Sequence, residues 1–139
     1  MKNSYKRKRV LVTGADGFMG SHLTERLLAE GAKVSVYVRG NSTSGTTQYT
    51  LRNIEHLKNK LDEIITGNIS STDAKELVIK NKPEIIFHLA ADAYVPNSFA
   101  HPIEVMETNV IGTLNILQAA KEGKGIKRIV CTSASEIYG

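Results

Sequence analysis

Short apolar runs and amphipathic stretches alternate along this chain with little ambiguity. Arg9–Thr13, with Val10-Leu11-Val12 at its centre, predicts a first strand. The stretch Ser21–Glu30 is amphipathic: Met19, Leu23 and Leu27 share one helical face, and Gly31 supplies a stop. Lys33–Val38 predicts a second strand. Gly40–Thr47, rich in Ser, Thr and Gly, reads as a loop inside the repeating pattern rather than as a domain linker. Leu51, Ile54 and Leu57 mark a second helix, and Ile64-Ile65 a short third strand. Ser71-Thr72-Asp73 offers capping oxygens for a third helix through Lys80. Pro83 precedes a fourth strand, Ile85–His88. A long helix from Ile103 to Lys121 carries Met106, Val110, Leu114 and Leu117 on its apolar side, and Arg128–Thr132 is a fifth strand.

Strand–helix alternation at this spacing implies right-handed crossovers and a parallel sheet with helices on both faces. The expected strand order is 3-2-1-4-5, with a switch point between strands one and four. Ligands of such sheets sit outside the carboxyl ends of the strands at that point. The chain places its most informative segment there. Thr13-Gly14-Ala15-Asp16-Gly17-Phe18-Met19-Gly20 carries three glycines at intervals of three between the first strand and the first helix. Gly14 allows a tight turn, Gly17 has no Cβ to hold off a diphosphate, and Gly20 lets the first helical turn press on the sheet. Free N–H groups and the positive end of the helix dipole then face the anion. This is the cradle of a Rossmann-type dinucleotide site.

Composition narrows the picture. The chain has 139 residues, so it is one domain or part of one. Its apolar runs are strand-sized, which excludes a membrane span, and no apolar core follows the basic N-terminus as a secretory signal requires. The single cysteine, Cys131, permits no internal disulfide and suits a reducing, cytoplasmic setting. The net charge of +4 is uneven: Lys2, Lys6, Arg7, Lys8 and Arg9 leave 13 basic against 14 acidic residues in the remainder. Residues 1–8 therefore read as a solvated basic tail ahead of a dinucleotide-binding domain over 9–139. No helix-turn-helix, zinc or aromatic-stacking signature supports nucleic-acid binding. His22, His56, His88 and His101 show no ligand spacing, so no metal is expected.

Five segments stand in order along the chain: Thr13–Gly20, Gly67-Asn68-Ile69, His88-Leu89-Ala90-Ala91, Asn109-Val110-Ile111-Gly112-Thr113 and Thr132-Ser133-Ala134-Ser135-Glu136-Ile137-Tyr138-Gly139. Through them the chain resembles, over nearly its whole length from Arg9, the extended branch of the short-chain dehydrogenase/reductases, the nucleotide-sugar epimerases and dehydratases. The resemblance implies that Gly14, Ala15, Asp16, Gly17, Phe18, Met19 and Gly20 hold the pyrophosphate and that Asn68 and Ile69 border the adenine. The family usually has Asp where Asn68 stands; Asn keeps an acceptor oxygen and gains a donor. Leu89, Ala90 and Ala91 would line the nicotinamide-ribose side. Asn109 is informative by itself: an amide on the apolar side of a helix needs partners and can lock a neighbouring loop through its backbone. The resemblance also implies a homodimer built on the Ile103–Lys121 helix, and a nucleotide-sugar substrate.

Strand two ends Val36-Tyr37-Val38-Arg39-Gly40-Asn41-Ser42, without the acid that accepts from the ribose 2′-OH in NAD-preferring folds. Arg39 offers a fork suited to a 2′-phosphate, with Asn41 and Ser42 as neutral donors, which favours NADP over NAD. GDP-mannose 4,6-dehydratases are similar here. Their chemistry starts with C4 oxidation to a 4-keto sugar, a Tyr-x-x-x-Lys pair supplying the base. These 139 residues hold no such pair after strand five. Ala134 takes the position usually held by a catalytic Ser or Thr; Ser133 and Ser135 flank it, and Thr132 precedes it at the cofactor side. Glu136 matches a dehydratase acid acting at C5. The expectation is therefore the cofactor-binding portion of such an enzyme, cut after strand five, lacking its substrate domain and inactive alone. The alternative is a non-catalytic dinucleotide-binding module, a sensor or assembly subunit.

Overall fold

In the computed structural model, which describes residues 4–43, 46–49 and 51–138, the run Val10-Leu11-Val12 is wholly buried at the centre of a parallel sheet. In chain order the elements are β1 (Arg9–Thr13), α1 (Phe18–Ala29), β2 (Lys33–Val38), β3 (Gly40–Thr43), β4 (Thr46–Tyr49), β5 (Glu63–Thr66), α2 (Ala74–Asn81), β6 (Ile85–His88), α3 (Val95–Ala100), α4 (Pro102–Met106), α5 (Gly112–Glu122) and β7 (Arg128–Cys131). The main sheet has five strands in the order β5-β2-β1-β6-β7. That is the expected 3-2-1-4-5 arrangement once β3 and β4 are set aside. Thr13 stands opposite both Tyr37 and His88, and His88 opposite Cys131, so the carboxyl ends of four strands share one rim.

Successive strand residues point to opposite faces, and the core divides accordingly. Val10, Val12, Val34, Val36 and Val38 pack with Leu27 of α1 and with Leu51, Ile54 and Leu57. On the other face Leu11, Tyr37, Ile65 and Ile86 pack with Val78 of α2 and with Ile116 and Ala119 of α5. Each such aliphatic side chain contributes about 1.5–3 kcal/mol when removed from water.

Several local expectations are corrected. Met19 is 65% exposed, and α1 buries Gly20, Ser21, Thr24 and Leu27 instead. The helix approaches the sheet too closely at its start for a large side chain; Gly20 and Thr24, whose hydroxyl donates to the Gly20 carbonyl, fit there. The segment expected as a loop over 40–47 forms the antiparallel hairpin β3–β4. Leu51, Ile54 and Leu57 belong to a turn and a short 3-10 helix, Glu55–Lys60, not an α-helix. Asp73 sits in helical backbone and makes no side-chain cap; the α2 start is satisfied by the Ser71 and Asp73 carbonyls. Val95–Ala100, with Pro96 in its first turn, is a helix that the pattern did not suggest.

The long helix is present but interrupted. Between α4 and α5 the backbone takes a π turn over Glu107–Ile111. Its expected apolar side faces outward: Met106, Val110, Leu114 and Leu117 are all exposed, as is Ile103. The buried stripe is Thr108, Gly112, Ile116 and Ala119. A Cβ on Gly112 would stand 2.5 Å from Ile69 Cγ2, so the helix seats on its small residues. Ahead of β1, the Arg7 N–H donates to the Gly31 carbonyl and the Tyr5 ring lies 6.2 Å from that of Phe87. No helix among the described residues is long and apolar enough to cross a membrane.

Candidate functional site

The glycine segment leaves β1 at the shared rim and turns sharply into α1. Gly14 has φ +67°, where an L side chain is strained, and its Cβ would also meet the Ala90 backbone nitrogen at 2.8 Å. Gly20 is sterically obligatory, because its Cβ would lie 2.1 Å from the Gly14 carbonyl oxygen. Gly17 differs. Its φ of −74° suits any residue, so positive-φ strain plays no part there. A Cβ on it would touch only the Gly14 oxygen, at 3.2 Å. A Cβ there would press on this one backbone oxygen alone, so the fold constrains position 17 far less than positions 14 and 20. Gly17 also caps α1 without a side-chain bond.

Beside this turn lies a cleft of about 440 Å³ at the switch point between β1 and β6. Gly14 and Asp16 form its floor, Tyr37 and Arg39 come from the end of β2, and Gly67-Asn68-Ile69 follow β5. Ala90 to Tyr94 follow β6, and Thr108 reaches in from the π turn. Two of these walls are tied together: Arg39 Nη2 donates to Thr108 Oγ1 at 3.1 Å. The guanidinium therefore stands across the cleft with further N–H groups available to an anion.

A buried network fixes the β6 wall. Thr13 Oγ1 accepts from the Leu89 and Ala90 backbone N–H groups at 3.2 and 3.1 Å and lies 2.8 Å from His88 Nδ1. With both lone pairs of that oxygen taken, its one proton goes to Nδ1. His88 is therefore the neutral Nε2–H tautomer, which donates to Thr113 Oγ1 at 3.0 Å. Burial lowers its pKa below the ordinary 6.5, in agreement. Asn109 then closes on the next stretch: its Oδ1 accepts from the Asp92 N–H at 2.8 Å, and its Nδ2 donates to the Asp92 carbonyl at 2.9 Å. The Asp92 carboxylate in turn accepts from Tyr94 N–H and Asn97 Nδ2. The π turn aims Thr108 at Arg39 and Asn109 at Asp92 from consecutive positions.

The structure gathers Gly14, Asp16, Arg39, Asn68, Ile69, Ala90 and Ala91 around one cleft. Ala15 is buried beneath it, and the side chains of Phe18 and Met19 face solvent, Phe18 against the His22 ring. Leu89 packs half-buried against the core rather than in the cleft wall. Thr132 is held at the end of β7 through the His88 carbonyl, and Ser133 follows it, exposed. The side chains of Asn41, Ser42, Ser135 and Glu136 lie outside the described residues. Sequence reasoning missed Tyr37, Asp92 and Thr108. Asp92 and Thr108 adjoin motif residues, Ala91 and Asn109, and Tyr37 is the one aromatic side chain in β2; those were the available signals.

Comparison with known proteins agrees with this geometry. The family model described as GDP-mannose 4,6 dehydratase matches residues 11–139. The chain belongs to that family. A curated relative in Bacillus cytotoxicus, UDP-N-acetyl-alpha-D-glucosaminuronate decarboxylase, is 39% identical over 133 residues, covering 96% of this chain and 38% of its own. Among solved structures, the UDP-N-acetylglucosamine 4-epimerase from Methanobrevibacter ruminantium M1, in complex with UDP-N-acetylmuramic acid, is 31% identical with a TM-score of 0.76. The match covers 96% of this chain and 40% of that one. MoeE5 in complex with UDP-glucose and NAD is 31% identical with a TM-score of 0.70, over 94% and 38% of the two chains. This chain thus spans about two-fifths of these relatives' length.

Proposed function

We propose that this chain forms the dinucleotide-binding part of a nucleotide-sugar-modifying enzyme that uses NADP(H), with NAD(H) as the alternative. The cleft at the switch point carries the reading, because it lies beside a glycine turn in which position 17 is sterically far less constrained than positions 14 and 20. Gly14 to Gly20 would hold the diphosphate and Arg39 the 2′-phosphate. Asn68 and Ile69 would border the adenine, and Ala90 and Ala91 the nicotinamide side, with the Asp92 loop held in place by Asn109. When bound, the nicotinamide supplies a hydride acceptor for oxidation at the sugar C4. Around the reacting sugar this chain would contribute Ser133 or Ser135 as a hydrogen-bonding hydroxyl and Glu136 as an acid–base group. The relatives named above carry out a decarboxylation and an epimerisation, so the cofactor reading reaches further than any choice of sugar chemistry.

Calorimetric titration with NADPH and NADH tests it. NADPH is expected to bind at least tenfold more tightly. Arg39→Ala should erase the difference, a loss of about 1.5–3 kcal/mol for a charge-assisted contact. Equal affinities in the wild type would remove Arg39 from the 2′-phosphate, and absence of any binding would overturn the whole reading. Ala134, at the position usually held by a hydroxyl, favours a second reading as a non-catalytic binding module. The coding sequence past Gly139 separates the two: a Tyr-x-x-x-Lys motif there would make the chain part of an enzyme, and a stop codon would favour the binding module.

The same reading assigns a cytoplasmic setting and a second copy of the chain as partner. The outward stripe from Ile103 to Leu117 is a contiguous apolar surface of the kind that interfaces cover. Leu114→Glu should shift the mass measured by light scattering toward the monomer.

A further inference from the structure

We infer that Thr108 is a positioning residue for Arg39: its hydroxyl holds the guanidinium at the cleft without cancelling its charge, so that the fork is set before an anion arrives. This rests on the assignment of Arg39 to the 2′-phosphate and deepens it, adding a residue 69 positions away to the choice between the two cofactors. Arg39 directly follows β2 and is exposed, and its long side chain has many rotamers to lose on being fixed. The one hydrogen bond of that side chain among the described residues runs from Nη2 to Thr108 Oγ1, at 3.1 Å. Asp16 and Asp92 line the same cleft, yet no carboxylate among the described residues forms an ion pair with Arg39. A neutral hydroxyl takes one N–H and leaves the cation whole, whereas a carboxylate in its place would neutralise it. The other N–H groups of the fork stay open to a phosphate.

Thr108 suits this part because it is itself fixed. It is only 7% exposed and lies in the π turn over Glu107–Ile111. The next residue, Asn109, is bonded to both the N–H and the carbonyl of Asp92, which pins the turn against the β6 wall. A β-branched side chain in helical backbone has few rotamers, so the Thr108 hydroxyl is a rigid post and Arg39 the long arm resting on it. Ordering that arm in advance removes a cost that the ligand would otherwise meet on binding. Valine at position 108 would keep the shape of the post and remove its acceptor. Thr108 also lines the cleft, so direct contact with the ligand is the rival role. Such a contact would serve NADH and NADPH alike, whereas positioning of Arg39 acts only on the ligand that carries the additional phosphate.

Calorimetric titration of four variants with both cofactors tests it. Thr108→Val should weaken NADPH about fivefold, the loss of one hydrogen bond, and NADH by less than about twofold. Thr108→Ser keeps the hydroxyl and should retain the wild-type preference. In Arg39→Ala nothing is left to position, so adding Thr108→Val there should weaken NADPH no further, a non-additivity that a merely structural residue would not show. Circular dichroism melts establish that each variant is folded; should Thr108→Val unfold at the assay temperature, Thr108→Ala, which only removes atoms, is read in its place. Equal losses of NADPH and NADH in Thr108→Val, an undiminished preference for NADPH, or a Thr108→Val effect that survives in Arg39→Ala would each overturn the positioning role while leaving Arg39 its phosphate. A wild type that binds the two cofactors equally, or binds neither, would overturn the reading of Arg39 and this inference with it.

Discussion

Adding a single methyl group at Gly17 or at Gly20 separates what the fold needs from what the ligand needs. At Gly20 the new Cβ would stand 2.1 Å from the Gly14 oxygen and 2.8 Å from the Ala15 Cα, all backbone atoms that cannot rotate away. Overpacking typically costs about 1–3 kcal/mol, and a backbone clash of this depth belongs at or beyond the upper end. For a chain of 139 residues, about 3 kcal/mol lowers Tm by roughly 10 °C. At Gly17 the only contact is the Gly14 oxygen at 3.2 Å, in backbone with φ −74°, so Gly17→Ala should cost less than about 1 kcal/mol. On the proposed dinucleotide reading, its methyl group would take space that the diphosphate needs. Binding of NADPH should fall at least tenfold, equivalent to about 1.4 kcal/mol. Thermal unfolding followed by circular dichroism, with calorimetric titration of the same samples, measures both quantities. Gly17→Ala binding as tightly as wild type would remove the diphosphate from this turn. Gly20→Ala melting with the wild type would refute the packing argument.

Three further outcomes follow from the hydrogen-bond and charge networks. Thr13→Val leaves the Ala90 N–H and His88 Nδ1 without their shared oxygen, while the Leu89 N–H keeps the Thr13 carbonyl; each orphaned group costs about 1–3 kcal/mol, which urea unfolding should register. His88 is held neutral by burial, so its contribution to stability is complete above pH 6.5 and is lost as pH falls below that value through the lower folded pKa. Urea midpoints at pH 7.5 and 5.5 should therefore differ in wild type more than in His88→Asn. Glu84, bonded to the Arg9 N–H, Lys127 and Lys8, has its pKa lowered to about 2. Its stabilisation is present above pH 4.5 and lost as pH falls toward 2, and acid titration of Glu84→Gln should lack that component.

The five strands of the main sheet, their order and the place of the cleft were legible in the chain itself. Buried parallel strands are continuous apolar runs, and the periods of strand and helix differ enough to be told apart from local sequence. Gly14 and Gly20 were legible for the same local reason, since a tight turn into a helix forbids a Cβ at each. Tertiary structure decided which face of a helix is inside. The long helix carries two stripes, and the large apolar one, Met106 to Leu117, looked like the core. Yet the sheet takes Thr108, Gly112, Ile116 and Ala119, because Ile69 approaches too closely for anything larger at Gly112. Met19 failed as a core residue where α1 crosses the Gly14 turn for the same reason: apolar size says what prefers burial, while only distance to the neighbouring element says what fits. The partners of Arg39 and His88 were hidden too. Hydrogen bonds from residue 39 to 108, from 13 to 88 and from 88 to 113 join segments distant in sequence, whose separation in space only the folded sheet sets.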